Sequence, residues 1–166
     1  MVKKKQENIR KVYVSADATA EDLEHGAGSM FLAGPTPRCK QVKSWRPQFI
    51  KLLQKQETKC TVFLPELKNG GWLGDHDKQT EWEYRHLHLA SAVVFWVPRD
   101  LDKLPGFITN VEFGFWVRSD RCFYGRPPGT PVTRYLDWLY KKEHSHESPA
   151  ESMEELIDRV IKWMIE

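Results

Sequence analysis

Three glutamates stand where a carboxylate could either do chemistry or cap a helix. Thr109-Asn110-Val111-Glu112, Thr80-Glu81-Trp82-Glu83 and Ser152-Met153-Glu154-Glu155 all fit the S/T-x-x-E box. In that box the glutamate satisfies an orphan backbone N–H at a helix start. The third match falls in the last helix, where no site is expected, so the pattern alone argues for capping. Glu112 rises above that reading on two counts. It follows the apolar run Ala92-Val93-Val94-Phe95-Trp96-Val97, and Gly114 stands two residues beyond it within one helical stretch. A glycine inside a helix costs about 1 kcal/mol relative to alanine and signals a close approach by backbone or ligand. On residues alone, Glu112 is a candidate functional carboxylate as well as a candidate cap.

The other reactive side chains form weaker patterns. His86 and His88 are two apart on a helical stretch and point about 200° apart, so they cannot share a metal. His76, between Asp75 and Asp77, lacks a ligand spacing and reads as part of a solvated loop. The cysteines Cys39, Cys60 and Cys122 are odd in number and far apart, which argues against a disulfide framework or a zinc knuckle. Cys60 and Cys122 read as buried thiols. There is no G-x-G-x-x-G, no G-x-x-x-x-G-K-[ST] and no G-x-S-x-G, which removes the commonest dinucleotide, P-loop and serine-hydrolase readings. No cofactor and no metal are expected.

The elements that must position these residues can be read in order. Val12-Tyr13-Val14 and Met30-Phe31-Leu32-Ala33 read as strands, separated by a polar, acidic loop from Asp17 to Gly28. Gly34-Pro35-Thr36-Pro37-Arg38 ends the second strand, and Ser44 reads as the N-cap of a helix with Pro47 in its first turn. Thr61-Val62-Phe63-Leu64 is a third strand, stopped by Pro65 and followed by a Gly-rich loop through Asp75. A helix from about Thr80 to Ser91 leads into the Ala92–Val97 run, which suits a strand buried on both faces. Further elements are a helix from near Thr109 to Arg118, a strand from Arg121 to Tyr124, and helices near Arg134–Lys142 and Met153–Ile165. This alternation predicts an α/β fold, a doubly wound (flavodoxin/Rossmann-like) parallel sheet of about five strands with helices on both faces. Ligands of such sheets bind outside the carboxyl ends of the strands, here the loops beginning at Gly34, Pro65 and Pro98.

With 166 residues, 40% hydrophobic and 29% charged, the chain reads as one domain preceded by a short, flexible, basic N-terminus of about eight residues. No apolar run approaches the roughly 20 residues that span a bilayer, and no signal-peptide stretch follows the basic start, so a cytoplasmic location and no membrane partner are expected. A net charge of +2 with no basic stripe argues against nucleic-acid binding. Seven tryptophans are many for this length and read mainly as core or interface residues.

Four segments together resemble the nucleoside 2-deoxyribosyltransferase-like family. They are Phe31-Leu32-Ala33-Gly34-Pro35-Thr36-Pro37-Arg38, then Ser44-Trp45-Arg46-Pro47, then Gln79-Thr80-Glu81-Trp82-Glu83 continuing to Phe95-Trp96-Val97-Pro98-Arg99-Asp100, and Thr109-Asn110-Val111-Glu112-Phe113-Gly114. The resemblance spans about Met30 to Trp138. It implies an enzyme acting on the N-glycosidic bond of a nucleoside or nucleotide, by deoxyribosyl transfer or by hydrolysis. Glu112 maps onto the family's nucleophile, and Glu83 onto an acidic residue that handles the leaving base. Gly34 and Pro35 would let backbone approach the sugar. Arg38, Arg46 and Arg99 become candidates for a substrate phosphate, and Trp82 and Asn110 join them as substrate-binding candidates. The relatives imply a homodimer or higher homo-oligomer. A non-catalytic nucleotide-sensing module is the alternative on the same fold.

Overall fold

Both faces of the sheet are covered, and this is why the strands carry so few polar residues. In the computed structural model, which describes residues 8–16 and 28–166, five strands run β1 Ile9–Tyr13, β2 Gly28–Ala33, β3 Cys60–Leu64, β4 Ala92–Trp96 and β5 Cys122–Gly125. Alternate residues feed two separate cores. Met30, Leu32, Val62, Leu64, Val94 and Trp96 pack on one face against helices α1 (Arg46–Leu53) and α5 (Met153–Ile165). Phe31, Ala33, Phe63, Val93, Phe95 and Tyr124 pack on the other, against α2 (His76–Leu89), α3 (Phe107–Trp116) and α4 (Arg134–Glu143). Cys60 and Cys122 are buried thiols within these layers, and Cys39 is exposed.

The sheet order is β1-β3-β2-β4-β5, and every pairing is parallel. The fold is the doubly wound α/β sheet that the alternation predicts. From central β2 the chain passes through α1 to β3 on one side, then crosses through α2 to β4 on the other. The winding therefore reverses between β2 and β4, which makes their carboxyl ends the switch point where such sheets bind ligands. Two glycines let the loops meet there. Gly34 sits at φ +144°, and a Cβ on it would fall 2.2 Å from the Trp96 carbonyl oxygen. Gly106, at φ +67°, presses on Pro35, whose Cγ would lie 2.7 Å from an added Cβ. The loop after β2 and the start of α3 are locked together.

Several boundaries differ from the sequence expectation. Strand β1 begins earlier, at Ile9, because its ladder with β3 starts at the Ile9–Cys60 pair. Helix α1 begins at Arg46 with Trp45 as its cap residue, one position later than Ser44 implied, although Ser44 Oγ still accepts the Arg46 N–H at 3.2 Å. Helix α2 begins a full turn before Thr80, because Asp75 caps it by accepting the Lys78 N–H at 3.1 Å. Helix α3 likewise begins before Thr109, directly after the left-handed Gly106. Of the three S/T-x-x-E matches only Ser152 caps a helix, accepting the Glu155 N–H at 3.1 Å while Glu155 accepts the Glu151 N–H at 2.9 Å. Glu83 and Glu112 are therefore not held in capping boxes. The expected basic N-terminal tail and acidic loop fall mostly outside the described residues.

Candidate active site

Arg46 organises the carboxyl edge of the sheet. Its side chain has no exposed surface, which for a guanidinium demands partners on nearly every N–H. Nε donates to the Leu32 carbonyl at 2.9 Å and Nη2 to the Gly34 carbonyl at 2.9 Å. Nη1 donates to Thr36 Oγ1 at 3.1 Å and to Glu66 Oε2 at 3.3 Å. The residue thus pins the end of β2 and its loop to the first residues after β3. It is not placed to grip a substrate phosphate, the role the resemblance implied, because it lies wholly beneath the surface.

Glu66 completes this buried pair. It follows Pro65 directly after β3, and its second carboxylate oxygen accepts from Ser44 Oγ at 2.9 Å. Tyr13, at the end of β1, lies within electrostatic range of the same carboxylate. Burial raises the Tyr13 phenol, and the charge of Glu66 raises it further.

Glu83 on α2 and Glu112 on α3 act on Arg46 through their charges rather than as direct ion pairs. The guanidinium lies within electrostatic range of both, and of Glu66, even though its own burial disfavours its charge. Glu112, partly accessible to solvent, is pushed up to about 8 by desolvation and then by the charge of Glu83, with Arg46 acting in the opposite direction. Glu83 is also raised by desolvation, while a hydrogen bond from Gln79 and the charges of Arg46 and His76 pull it back. Gln79 Nε2 donates to Glu83 Oε1 at 2.5 Å and to the Pro65 carbonyl at 3.1 Å, and its Oε1 accepts the Leu73 N–H at 3.0 Å. One buried amide thus orients Glu83 and ties down both ends of the loop between β3 and α2. Two carboxyls that repel each other across a half-buried site beside a fixed cation form the kind of pair that shares a proton near neutrality.

The remaining residues expected at the site fall into four groups. Gly34 and Pro35 are at the switch point, but their close approaches are to the Trp96 backbone and to Gly106, and the Pro35 carbonyl accepts from Trp45 Nε1 at 3.1 Å. Arg38 is exposed in the loop after β2, unlike Arg46 and Arg99. Arg99 is buried. Its Nη1 donates to the Val132 carbonyl at 2.6 Å and its Nη2 to Asn110 Oδ1, so Arg99 and Asn110 hold each other and the segment before α4. Trp82 is a core residue rather than a ligand wall: it is buried, stacked on His86 with ring centroids 3.9 Å apart, and packed against Phe31.

The family model described as nucleoside 2-deoxyribosyltransferase like matches residues 27–130, which run from just before β2 past β5. This chain belongs to the nucleoside 2-deoxyribosyltransferase-like family. A comparison with curated proteins found no match. The matched region of this family member holds every residue of the cluster around Arg46 except Tyr13. Glu66, Gln79 and Tyr13 escaped the sequence reading. A signal existed for the first two. Glu66 is the first carboxylate after a buried strand on the ligand edge, and Gln79 stands one helical turn before Glu83, where side chains meet.

Proposed function

We propose that this family member is an enzyme of nucleoside or nucleotide N-glycosidic bonds, with Glu112 as nucleophile and Glu83 as the acid–base partner. One observation carries the reading. Glu112 and Glu83 face a shared buried cation at the topological switch point, and neither is spent on capping a helix. Burial and the neighbouring Glu83 raise Glu112 to about 8, so it holds a proton more tightly than an ordinary glutamate. Attack requires Glu112 to lose it, and Glu83 is the acceptor at hand. The Glu112 carboxylate then forms a bond to the anomeric carbon as the bond from that carbon to the base nitrogen breaks. The electron pair goes to the base, which takes the proton from Glu83. Water or a second base, deprotonated by Glu83, next attacks the same carbon and releases Glu112, with net retention. Hydrolysis asks less of the site than transfer, since water needs no second base pocket. Gly34 and Pro35 border the sugar position, and exposed Arg38 is the guanidinium free to meet a phosphate.

The test is incubation with a panel of deoxynucleosides and their monophosphates, with and without an acceptor base, followed by chromatography. Free base or exchanged nucleoside is the expected product. Glu112→Ala should slow turnover by at least about 10³-fold while retaining ligand binding. Binding without reaction across the whole panel would instead fit a nucleotide-sensing module.

The same reading includes a homo-oligomer in which a second copy covers the outer face of α3. That helix carries a single charged residue, Glu112. Phe107, Ile108, Val111 and Phe115 are each more than half exposed, and Tyr84 of α2 adjoins them through His88, whose ring lies 6.1 Å from Phe115. With aromatic side chains contributing about 150–250 Å² each, this face offers on the order of 600 Å² of apolar surface. That is near the roughly 800 Å² per partner of a stable interface. Gly114 lies on the same face, and a Cβ added there would touch nothing in the described chain. Among the described residues no neighbour requires this glycine, but a helix of a second copy, approaching closely, would.

A further inference from the structure

Resting on the reading of Glu112 and Glu83 as the reacting pair, we propose that Glu66 is a positioning residue for them. Through its ion pair with Arg46 and its hydrogen bond from Ser44, it sets how much of the buried guanidinium's charge is left for the pair. The geometry is specific. Glu66 is buried, its Oε2 lies 3.3 Å from Arg46 Nη1, and its Oε1 accepts from Ser44 Oγ at 2.9 Å. Ser44 in turn accepts the Arg46 N–H, so the hydroxyl ties the carboxylate to the helix start that carries its cationic partner. The Arg46 cation is therefore divided among three carboxylates, Glu66 on the loop after β3, Glu83 on α2 and Glu112 on α3.

A wholly buried cation needs compensating charge close by. Glu66 supplies it at 3.3 Å, and this leaves Glu83 and Glu112 free to hold a proton between them. Without the Glu66 charge, the positive field of Arg46 on the pair would be less compensated, and a smaller share of the pair would keep a proton for the departing base. The groups facing this network are few. Glu112 meets Glu83 and Arg46, Glu83 meets Gln79, His76 and Arg46, and Glu66 meets Ser44, Tyr13 and Arg46.

The experiment is a ¹³C NMR titration of the glutamate carboxyls in the full chain, with the Glu112 signal assigned by its loss in Glu112→Gln. Glu66→Gln keeps the shape and hydrogen-bonding capacity but removes the charge. The expected result is a fall of about one pH unit or more in the Glu112 midpoint, the size of effect one nearby charge exerts. Glu66→Asp, which keeps the charge, should return the midpoint toward the wild-type value. A folded Glu66→Gln chain with an unmoved Glu112 midpoint would overturn the proposal. If Glu66→Gln does not fold, as judged by near-ultraviolet circular dichroism, Ser44→Ala takes its place. Loosening Glu66 from Arg46 should lower the midpoint by a smaller amount, and an unmoved midpoint again overturns the proposal. The readout does not need turnover. A shifted midpoint in a chain that reacts with no nucleoside would sink the glycosidic reading but leave the electrostatic link standing, and turnover with an unmoved midpoint would do the reverse.

Discussion

Glu112, the carboxyl proposed as nucleophile, sits where ionisation is disfavoured. Desolvation and the neighbouring Glu83 keep its proton in place up to about pH 8, and Arg46 is the charge that limits the effect. The consequence for stability has a definite sign. The fold binds this proton more tightly than the unfolded chain, whose ordinary glutamate value is 4.5. Glu112 therefore contributes its full stability below that value, and the contribution is lost as pH rises through about 8. Urea unfolding of the wild type should show stability declining between about pH 5 and pH 8.5, and Glu112→Gln should remove on the order of 1–3 kcal/mol of that decline. An equal slope in wild type and variant would show that Glu112 is not the raised group. At this scale the sequence was informative about the two carboxylates but not about what tunes them. Glu66 meets Arg46 and Ser44 across separate loops and helices, so no spacing along the chain encodes its contacts, whereas Gln79 stands one turn before Glu83 on the same helix. Arg46 and Trp82 were recognised as notable and given the wrong surroundings, because a side chain's depth depends on packing that a motif does not carry.

At the scale of elements, the two helices bearing the carboxylates start where turn chemistry puts them rather than where the S/T-x-x-E pattern suggested. Asp75 closes the Gly-rich loop and caps α2, and Gly106 turns the chain into α3 against Pro35. The pattern misled because a threonine followed by a glutamate is equally comfortable one turn inside a helix, where its hydroxyl is not needed as a cap. The difference is measurable. Asp75→Ala and Ser152→Ala should each cost about 1 kcal/mol of stability. Thr80→Ala, an exposed position inside α2, should cost nothing of that size. A loss for Thr80→Ala equal to that for Asp75→Ala would place the helix start where the box implied. The strands were far more legible, since runs such as Ala92–Val97 can be accommodated only in a sheet covered on both sides.

Over the whole molecule, the alternation of strands and helices was sufficient for the parallel architecture, and it placed the Gly34, Pro65 and Pro98 loops on one edge. The strand order was not legible, because local sequence does not say which neighbour a buried strand will choose. The face of α3 was not legible either, since an apolar helix reads as buried whether its cover comes from its own chain or from a second copy. Phe107 and Val111 remain 74% and 70% exposed in the single chain. Light scattering coupled to size-exclusion chromatography should give a mass above that of one 19.5 kDa chain, and Val111→Glu should shift it to a monomer. A wild-type monomer would remove the second copy from the account. The proposed reaction passes through a glycosyl ester on Glu112. Its most direct test is acid quench of the chain during turnover of a deoxynucleoside or deoxynucleoside monophosphate, then mass spectrometry of the peptides. One sugar-derived adduct on the Glu112 peptide, absent from Glu112→Ala, is the expected result. Turnover that persists undiminished in Glu112→Ala, or an adduct on any other residue, would contradict it.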